Sequence, residues 1–438
     1  MHANARVLLY SDTDNSGELA GKLEKHGFQP LPATSHEDAL RIVDREYPDI
    51  AIVNATTGDD AGRLRQELLA LRPEGGIPTI VIGAGAETPE DNLQTEYLPA
   101  PFRDAELFSR LQVLSRLVTM QAELDLRSET SELYGVDAPA HVAPPSTVAG
   151  ARILVICKNA DLQRSIAKII APFATSDNVE DPFDAIEKLL QAPFDAVVAV
   201  RTDEVDGLLD FCRVLRNHAN LFNMPLAILS DSNDTAAHDQ AYEAGASDVL
   251  DLDSEMARLS PRLQHLVKQQ RYRQSMQDVY REGRHYAATE SLTGLFGHGY
   301  LHVHLQKQIA ESQSRHKDLA LGFFDIADMT AFNAEYGYVA GDMLLRQIGS
   351  AFGGLVRAED LPARFGGDKF CIVLPDTDLA SARPVLQRIA GVINFTEFAV
   401  TNAGEPAKVR LKNGSAQLQD DDTAESLIAR ARANIEGT

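Results

Sequence analysis

One pattern occurs twice in this sequence and restricts the fold more than any other feature. Arg6-Val7-Leu8-Leu9-Tyr10 recurs as Arg152-Ile153-Leu154-Val155-Ile156, and the segment from Pro48 to Asn54 recurs as the segment from Phe194 to Val200. Short unbroken apolar runs of this kind suit strands buried on both faces. Helical patterns follow the first strands near 16–26 and 60–72, and a further apolar run, Thr79-Ile80-Val81-Ile82, precedes an amphipathic stretch from Phe102 to Val118. In the second copy, Ala227-Ile228-Leu229-Ser230 reads as the fourth strand, and Gly245 to Leu250 introduces a fifth. Strand–helix alternation predicts a parallel sheet covered on both faces, once over residues 1–120 and again over 151–270.

Both copies resemble the response-regulator receiver domain, a flavodoxin-like doubly wound α/β fold. Pro48-Asp49-Ile50 and Pro99-Ala100-Pro101 fall where that family begins its third strand and places the loop after its fifth. A working receiver needs an acidic pair after the first strand, a phosphoacceptor Asp after the third, a Ser or Thr after the fourth and a Lys after the fifth. Here Ser11-Asp12 keeps half of the pair, and the other positions are Asn54, Gly83 and Ala100. An amide is neither anionic nor a suitable nucleophile, so Asn54 cannot form an acyl phosphate. The expectation is that Asp12 and Asn54 are ordinary surface groups. In the second copy the pair becomes Cys157-Lys158 and the acceptor position Val200, with Ser230 alone retained. By resemblance, such domains serve as scaffolds that form a homodimer.

The 438 residues suggest about three domains at ~150 residues each. A net charge of −23 argues against general binding to nucleic acid or to anionic membranes, while leaving room for a local basic pocket. Cys157, Cys212 and Cys371 are far apart, lack metal-ligand spacing and fit small buried residues in a reducing compartment. The strand pattern at Arg6 is not that of a signal peptide, and no apolar run reaches the ~18 residues of a membrane helix. These features predict a cytoplasmic protein without membrane insertion.

Residues 121–150 first extend the preceding helix and then, from Asp137 to Thr147, become a Pro- and Ala-rich linker. A helical pattern over 258–290, with Tyr272, Met276, Val279 and Tyr280 at 3–4 spacing, overlaps the end of the second domain. It is expected to act as a stalk to the last domain, 291–438.

In that domain Arg364-Phe365 closes one strand pattern and Cys371-Ile372-Val373-Leu374-Pro375 forms another, so Gly366-Gly367 between them predicts a β-hairpin. The segment from Arg357 to Phe370 resembles the signature of the GGDEF family, the α+β, nucleotidyl-cyclase-like diguanylate cyclases that join two GTP into cyclic di-GMP. The match is Gly366, Gly367 and Asp368, with Lys369 in place of the signature Glu. Asp325 ends a buried strand at the family's first metal position. The family's D-x-D-x-F-K-x-x-N-D segment runs here from Asp325 to Ala334, and three of its positions have become Ala327, Thr330 and Ala334. Asn333 and Asp342 remain at the guanine-reading positions. The entry motif D-x-L-T-G-L is met at Leu292-Thr293-Gly294-Leu295, with the acid expected to be displaced by Ser291. The family's closing A-K-x-x-G-R-N segment finds no counterpart up to Thr438.

The resemblance implies that GTP and Mg²⁺ could meet only a vestigial site, formed by Asp325, Asn333, Asp342, Gly366, Gly367 and Asp368. Asp325 and Asp368 could still hold one weak ion, and phosphoryl transfer needs metals to neutralise the triphosphate. A charge swap at Lys369 opposes that by several kcal/mol, for separations of ~5 Å and an effective dielectric of ~20. The chain is therefore expected to be no enzyme.

Arg357 and Asp360 form an R-x-x-D at the spacing of the family's allosteric product site, and Arg388 falls in register with its second Arg. Arg offers a planar fork to phosphate or to a guanine edge, and Asp accepts from guanine N–H groups. The order receiver, receiver, GGDEF resembles the PleD family over essentially the whole chain. With catalytic groups lost and the allosteric site kept, the resemblance implies a cyclic di-GMP effector at a cell pole. Its implied partners belong to cell-cycle proteolysis, as an adaptor bringing a response regulator to the ClpXP protease.

Overall fold

The computed structural model describes residues 5–11, 16–54, 59–70, 76–83, 93–135, 142–201, 207–218, 221–230, 235–282, 288–400 and 406–435. Asp12, the 137–141 part of the linker and residues 436–438 lie outside them.

The first unit runs β1 (Arg6–Ser11), α1 (Ser16–Lys25), β2 (Gln29–Ala33), α2 (His36–Glu46), β3 (Ile50–Asn54), α3 (Asp59–Ala70), β4 (Thr79–Ile82), β5 (Thr95–Leu98) and α4 (Asp104–Glu132). Its strands are all parallel, in the order β2-β1-β3-β4-β5. The second unit runs β6 (Ala151–Ile156), α5 (Ala160–Ile170), β7 (Ala174–Val179), α6 (Pro182–Gln191), β8 (Ala196–Arg201), α7 (Leu208–Asn217), β9 (Leu226–Ser230), α8 (Thr235–Glu243), β10 (Asp248–Asp251) and α9 (Met256–Glu282). Its order, β10-β9-β8-β6-β7, is the same flavodoxin-like 2-1-3-4-5 arrangement. Each sheet carries an apolar cluster on both faces, as unbroken Val/Ile/Leu strands require.

The repeated Asp of the two copies does the same work in each. Asp49 accepts from the Arg6 amide at 3.0 Å and Asp195 from the Arg152 amide at 2.9 Å, so a carboxylate ties the entry of one strand to the start of its neighbour.

The third unit runs α10 (His298–Arg315), β11 (Leu319–Ile326), α11 (Met329–Tyr336), α12 (Tyr338–Leu355), β12 (Leu361–Gly366), β13 (Lys369–Pro375), α13 (Leu379–Phe395), β14 (Leu411–Gln417) and α14 (Ala424–Ala433). Its antiparallel sheet has the order β12-β13-β11-β14. Gly322 and Gly414 let helices approach closely. A Cβ on Gly322 would lie 2.4 Å from the Leu386 side chain, and one on Gly414 would lie 2.3 Å from the Ala431 carbonyl.

The expected stalk is a packed helix. α9 lies against α4 through Leu117, Met120, Leu124, Met276 and Tyr280, and the Tyr280 hydroxyl donates to the Met120 carbonyl. The 3–4 spacing noted in the sequence is the stripe that makes this contact. Among the described residues, no helix is long and apolar enough to cross a membrane.

Candidate functional site

The predicted hairpin joins β12 to β13. Gly367 has φ 59°, in the left-handed region, and Gly366 has φ 147°. Arg364 fixes the turn by donating to the Gly367 carbonyl at 3.1 and 2.7 Å, and its guanidinium also pairs with Glu290 at 3.0 Å.

Glu290 corrects one expectation. The entry acid is not displaced by Ser291. Glu290 stands two positions before Leu292, and its carboxylate accepts from the amides of Leu292 (2.9 Å) and Thr293 (3.0 Å). Burial raises its pKa, but these amides and Arg364 outweigh that and bring it down to about 2.

The β11–β13 register sets Asp325 directly opposite Lys369, and the β11–β14 register sets Lys412 on its other side. The Lys369 Nζ lies 2.6 Å from Asp368 Oδ1 and 3.5 Å from Asp325 Oδ1. A hydrogen bond to Asp368 and the Asp325 charge raise the lysine pKa. The ammonium thus stands between the two carboxylates expected to hold an ion. Among the described residues no group of three or more His, Cys, Asp or Glu could hold a metal. An ion held by Asp325 and Asp368 would have to displace the Lys369 ammonium.

On α11, Asn333 Oδ1 is buried without a hydrogen-bond partner among the described residues. A Cβ on Gly341 would lie 2.0 Å from that oxygen, so Gly341 gives the amide its space. Asp342 follows on the exposed face of α12.

The R-x-x-D turn leads into β12. Asp360 is 2% exposed, and its Oδ2 accepts from the Arg357 amide at 2.8 Å, so its carboxylate closes the turn upon itself. Arg357 is half-buried, and its guanidinium has no hydrogen-bond partner among the described residues. Arg388, exposed on α13, donates to the Leu355 carbonyl at 3.1 Å, two residues before Arg357. The two arginines therefore flank the end of α12, and Asp360 positions the turn between them.

The turn is gripped from the first unit. Arg116 Nε on α4 donates to Glu359 at 3.1 Å, and Arg127 Nη2 donates to the carbonyls of Glu359 (3.0 Å) and Asp360 (2.9 Å). Glu123, 1% exposed, orients Arg127 at 2.6 Å and accepts from His304 of α10 at 3.0 Å. Sequence reasoning missed these groups. Their signal was charge inside an apolar stripe: Arg116, Glu123 and Arg127 keep spacings of seven and four alongside Leu117, Met120 and Leu124.

Burial, and then the neighbouring Glu359, pushes the Asp360 pKa up to about 6, against the opposing Arg357 charge. A raised carboxyl pKa contributes stability that is complete below the unfolded value of 3.8 and is lost as pH rises through about 6. Asp360→Asn keeps the acceptor and removes the titration. Compared with wild type, it is expected to flatten the fall in unfolding midpoint between pH 4 and 7, measured by calorimetry. An unchanged profile would contradict the buried, raised carboxyl.

The fold sets an α+β domain, which carries the site, on two flavodoxin-like domains. Residues 287–437 match the family profile described as "Diguanylate cyclase, GGDEF domain". The chain is 27% identical over 444 residues to the response regulator PleD of Caulobacter vibrioides, covering 99% of this chain and 96% of that protein. The diguanylate cyclase DgcP of Pseudomonas aeruginosa is 31% identical over 148 residues, 34% of this chain and 22% of that one. The solved GGDEF domain of DgcB from Caulobacter crescentus, in complex with c-di-GMP, shares 23% identity with a TM-score of 0.33, covering 34% of this chain and 85% of that one. The chain is thus similar to PleD over its length, and its residues 287–437 are similar to the GGDEF profile.

Proposed function

We propose that this chain is a non-enzymatic receptor for cyclic di-GMP, a PopA-like protein among those of PleD architecture. The ligand sits on Arg357 and Arg388, with Asp360 shaping the turn. The observation that carries the reading is the pairing of opposites. The Lys369 ammonium lies between Asp325 and Asp368, where cyclase chemistry needs a divalent ion, while the Arg357 guanidinium beside Arg388 keeps its donors available. Ligand at the turn biases the joint that Arg116 and Arg127 make with it, and so the relative placement of the domains. The adaptor role follows by resemblance: a homodimer through receiver-like faces, a polar address, and delivery of a response regulator to ClpXP.

The wild-type chain is expected to make no cyclic dinucleotide from GTP with Mg²⁺ or Mn²⁺, whereas Lys369→Glu is expected to bind Mn²⁺ at least ~100-fold more tightly, since removing one positive charge and adding a negative one beside a divalent ion amounts to several kcal/mol. Product from wild-type protein would sink the non-enzymatic reading and restore the runner-up, a weak or partner-assisted cyclase. A third reading, a GTP-sensing pseudo-enzyme, is favoured by one observation, the unpartnered buried Asn333 Oδ1. It predicts that GTP raises the unfolding midpoint without turnover, and that Asn333→Ala removes the effect.

A further inference from the structure

A cleft of about 980 Å³ lies between the two receiver-like domains, walled by α4, the segment after α7, the end of α8 and α9. Two arginines at its floor are more than nine-tenths buried, Arg273 at 6% and Arg116 at 9% exposure. Both have donors that nothing uses: Arg273 Nε and Arg116 Nη2 are buried without a hydrogen-bond partner among the described residues. Their remaining donors are placed largely by one residue. Arg116 Nη1 donates to the Asn223 side chain, and Arg273 Nη1 donates to the Asn223 carbonyl at 3.2 Å and to Gln270 at 2.7 Å. The Arg116 guanidinium also lies over the Phe222 ring, 5.1 Å from its centroid.

We propose that this cleft is a binding site for a phosphate-bearing small anion, received by the free donors of Arg116 and Arg273.

Arg103 and Arg216 line the cleft as well, and Arg216 directs its donors to the carbonyls of Gly245, Phe222 and Met224. The Glu359 carboxylate, paired with Arg116, offsets the positive charge in part. Burial first, and then the Arg116 and Arg216 charges, pull the Arg273 pKa down to about 9. In a chain of net charge −23, gathering positive charge in a buried place costs free energy that an anion would recover. Of the three acids on the walls, Asp104 and Glu243 are exposed, Asp239 is half-buried, and Asp104 is already paired with Lys22. Planar guanidinium forks match the geometry of phosphate oxygens, and the volume admits anything from phosphate to a mononucleotide. The site is separate from the Lys369 hairpin, and it shares Arg116 with the joint to the R-x-x-D turn, where that residue holds Glu359.

Equilibrium dialysis of the full chain against labelled pyrophosphate, inorganic phosphate and GTP tests the site. Wild-type protein should retain pyrophosphate, Arg273→Gln should lose at least tenfold in affinity, and Arg41→Gln, an exposed change on α2 away from the cleft, should bind as wild type. Gln112→Glu, an exposed change on the cleft wall, should weaken binding several-fold without touching the core, which keeps the test valid if Arg273→Gln fails to fold. GTP retained tenfold better than pyrophosphate, with the same loss in Arg273→Gln, identifies a nucleotide; phosphate and pyrophosphate retained alike identify the free ion. No retention of any of the three, or retention indifferent to both cleft variants, overturns the proposal.

Discussion

Replacing Glu96 with Ala is expected to lower the first unfolding midpoint by about 10 °C, equivalent to about 3–5 kcal/mol. Glu96 lies in β5 of the first domain and is fully enclosed. Its carboxylate meets Arg262 at 2.9 Å, His265 at 2.8 Å and Gln269 at 2.9 Å from α9, and Arg110 of α4 at 3.3 Å. Arg262 also pairs with Asp248 of β10 at 2.5 Å. A buried pair yields little net stability when intact, but removing one partner strands the others. Ala at this position would leave two guanidinium groups and an imidazole facing each other across the joint between the receiver-like domains. Burial raises the Glu96 pKa, and His265, Arg262 and Arg110 more than reverse that, so the carboxyl titrates well below 4.5. The sign follows: its contribution is complete above about 4.5 and is lost as pH falls below it. Scanning calorimetry of the full chain at pH 7 measures the effect; a midpoint within about 2 °C of wild type would contradict the joint described here.

Glu123→Ala should act on the other joint with a similar magnitude, about 3–5 kcal/mol. Glu123 accepts from Arg127 within α4 and from His304 and Gln308 of α10, so its loss leaves a buried guanidinium and imidazole unpaired between the first domain and the GGDEF domain. Arg127 stacks on the Tyr280 ring at 4.5 Å and holds two carbonyls of the R-x-x-D turn. The variant is therefore expected to lose both stability and affinity at Arg357. Glu123→Gln restores an acceptor without the charge and should fall between wild type and Glu123→Ala. Limited proteolysis reads the freed GGDEF domain directly, and equal resistance of wild type and Glu123→Ala would contradict this coupling.

The layered organisation was legible in the sequence because buried parallel strands leave unbroken apolar runs, and the Arg6/Arg152 and Asp49/Asp195 repeats marked equivalent strand entries. The hairpin was legible through Gly366-Gly367, since a left-handed residue in a two-residue turn selects glycine. Lys369 was visible as a departure, but its position between two carboxylates came from the β11–β13 register, which pairs residues 44 apart in the chain. The joints were not legible. Arg116, Glu123 and Arg127 interrupt the apolar stripe of α4, and the partners that bury them and Arg110 come from α9 and the last domain, far away in the chain. The same packing explains Asp360. As a string it was a ligand contact; in the fold its Oδ2 also accepts from the Arg357 amide, so the carboxylate holds the turn that presents that arginine.

Calorimetric titration of cyclic di-GMP into the full wild-type chain and into Arg357→Ala tests the central claim most directly. The account predicts micromolar or tighter binding by wild type, and at least about a hundredfold loss in Arg357→Ala, where a fork of charge-assisted donors disappears. No binding by wild type, or binding that Arg357→Ala leaves intact, would contradict it.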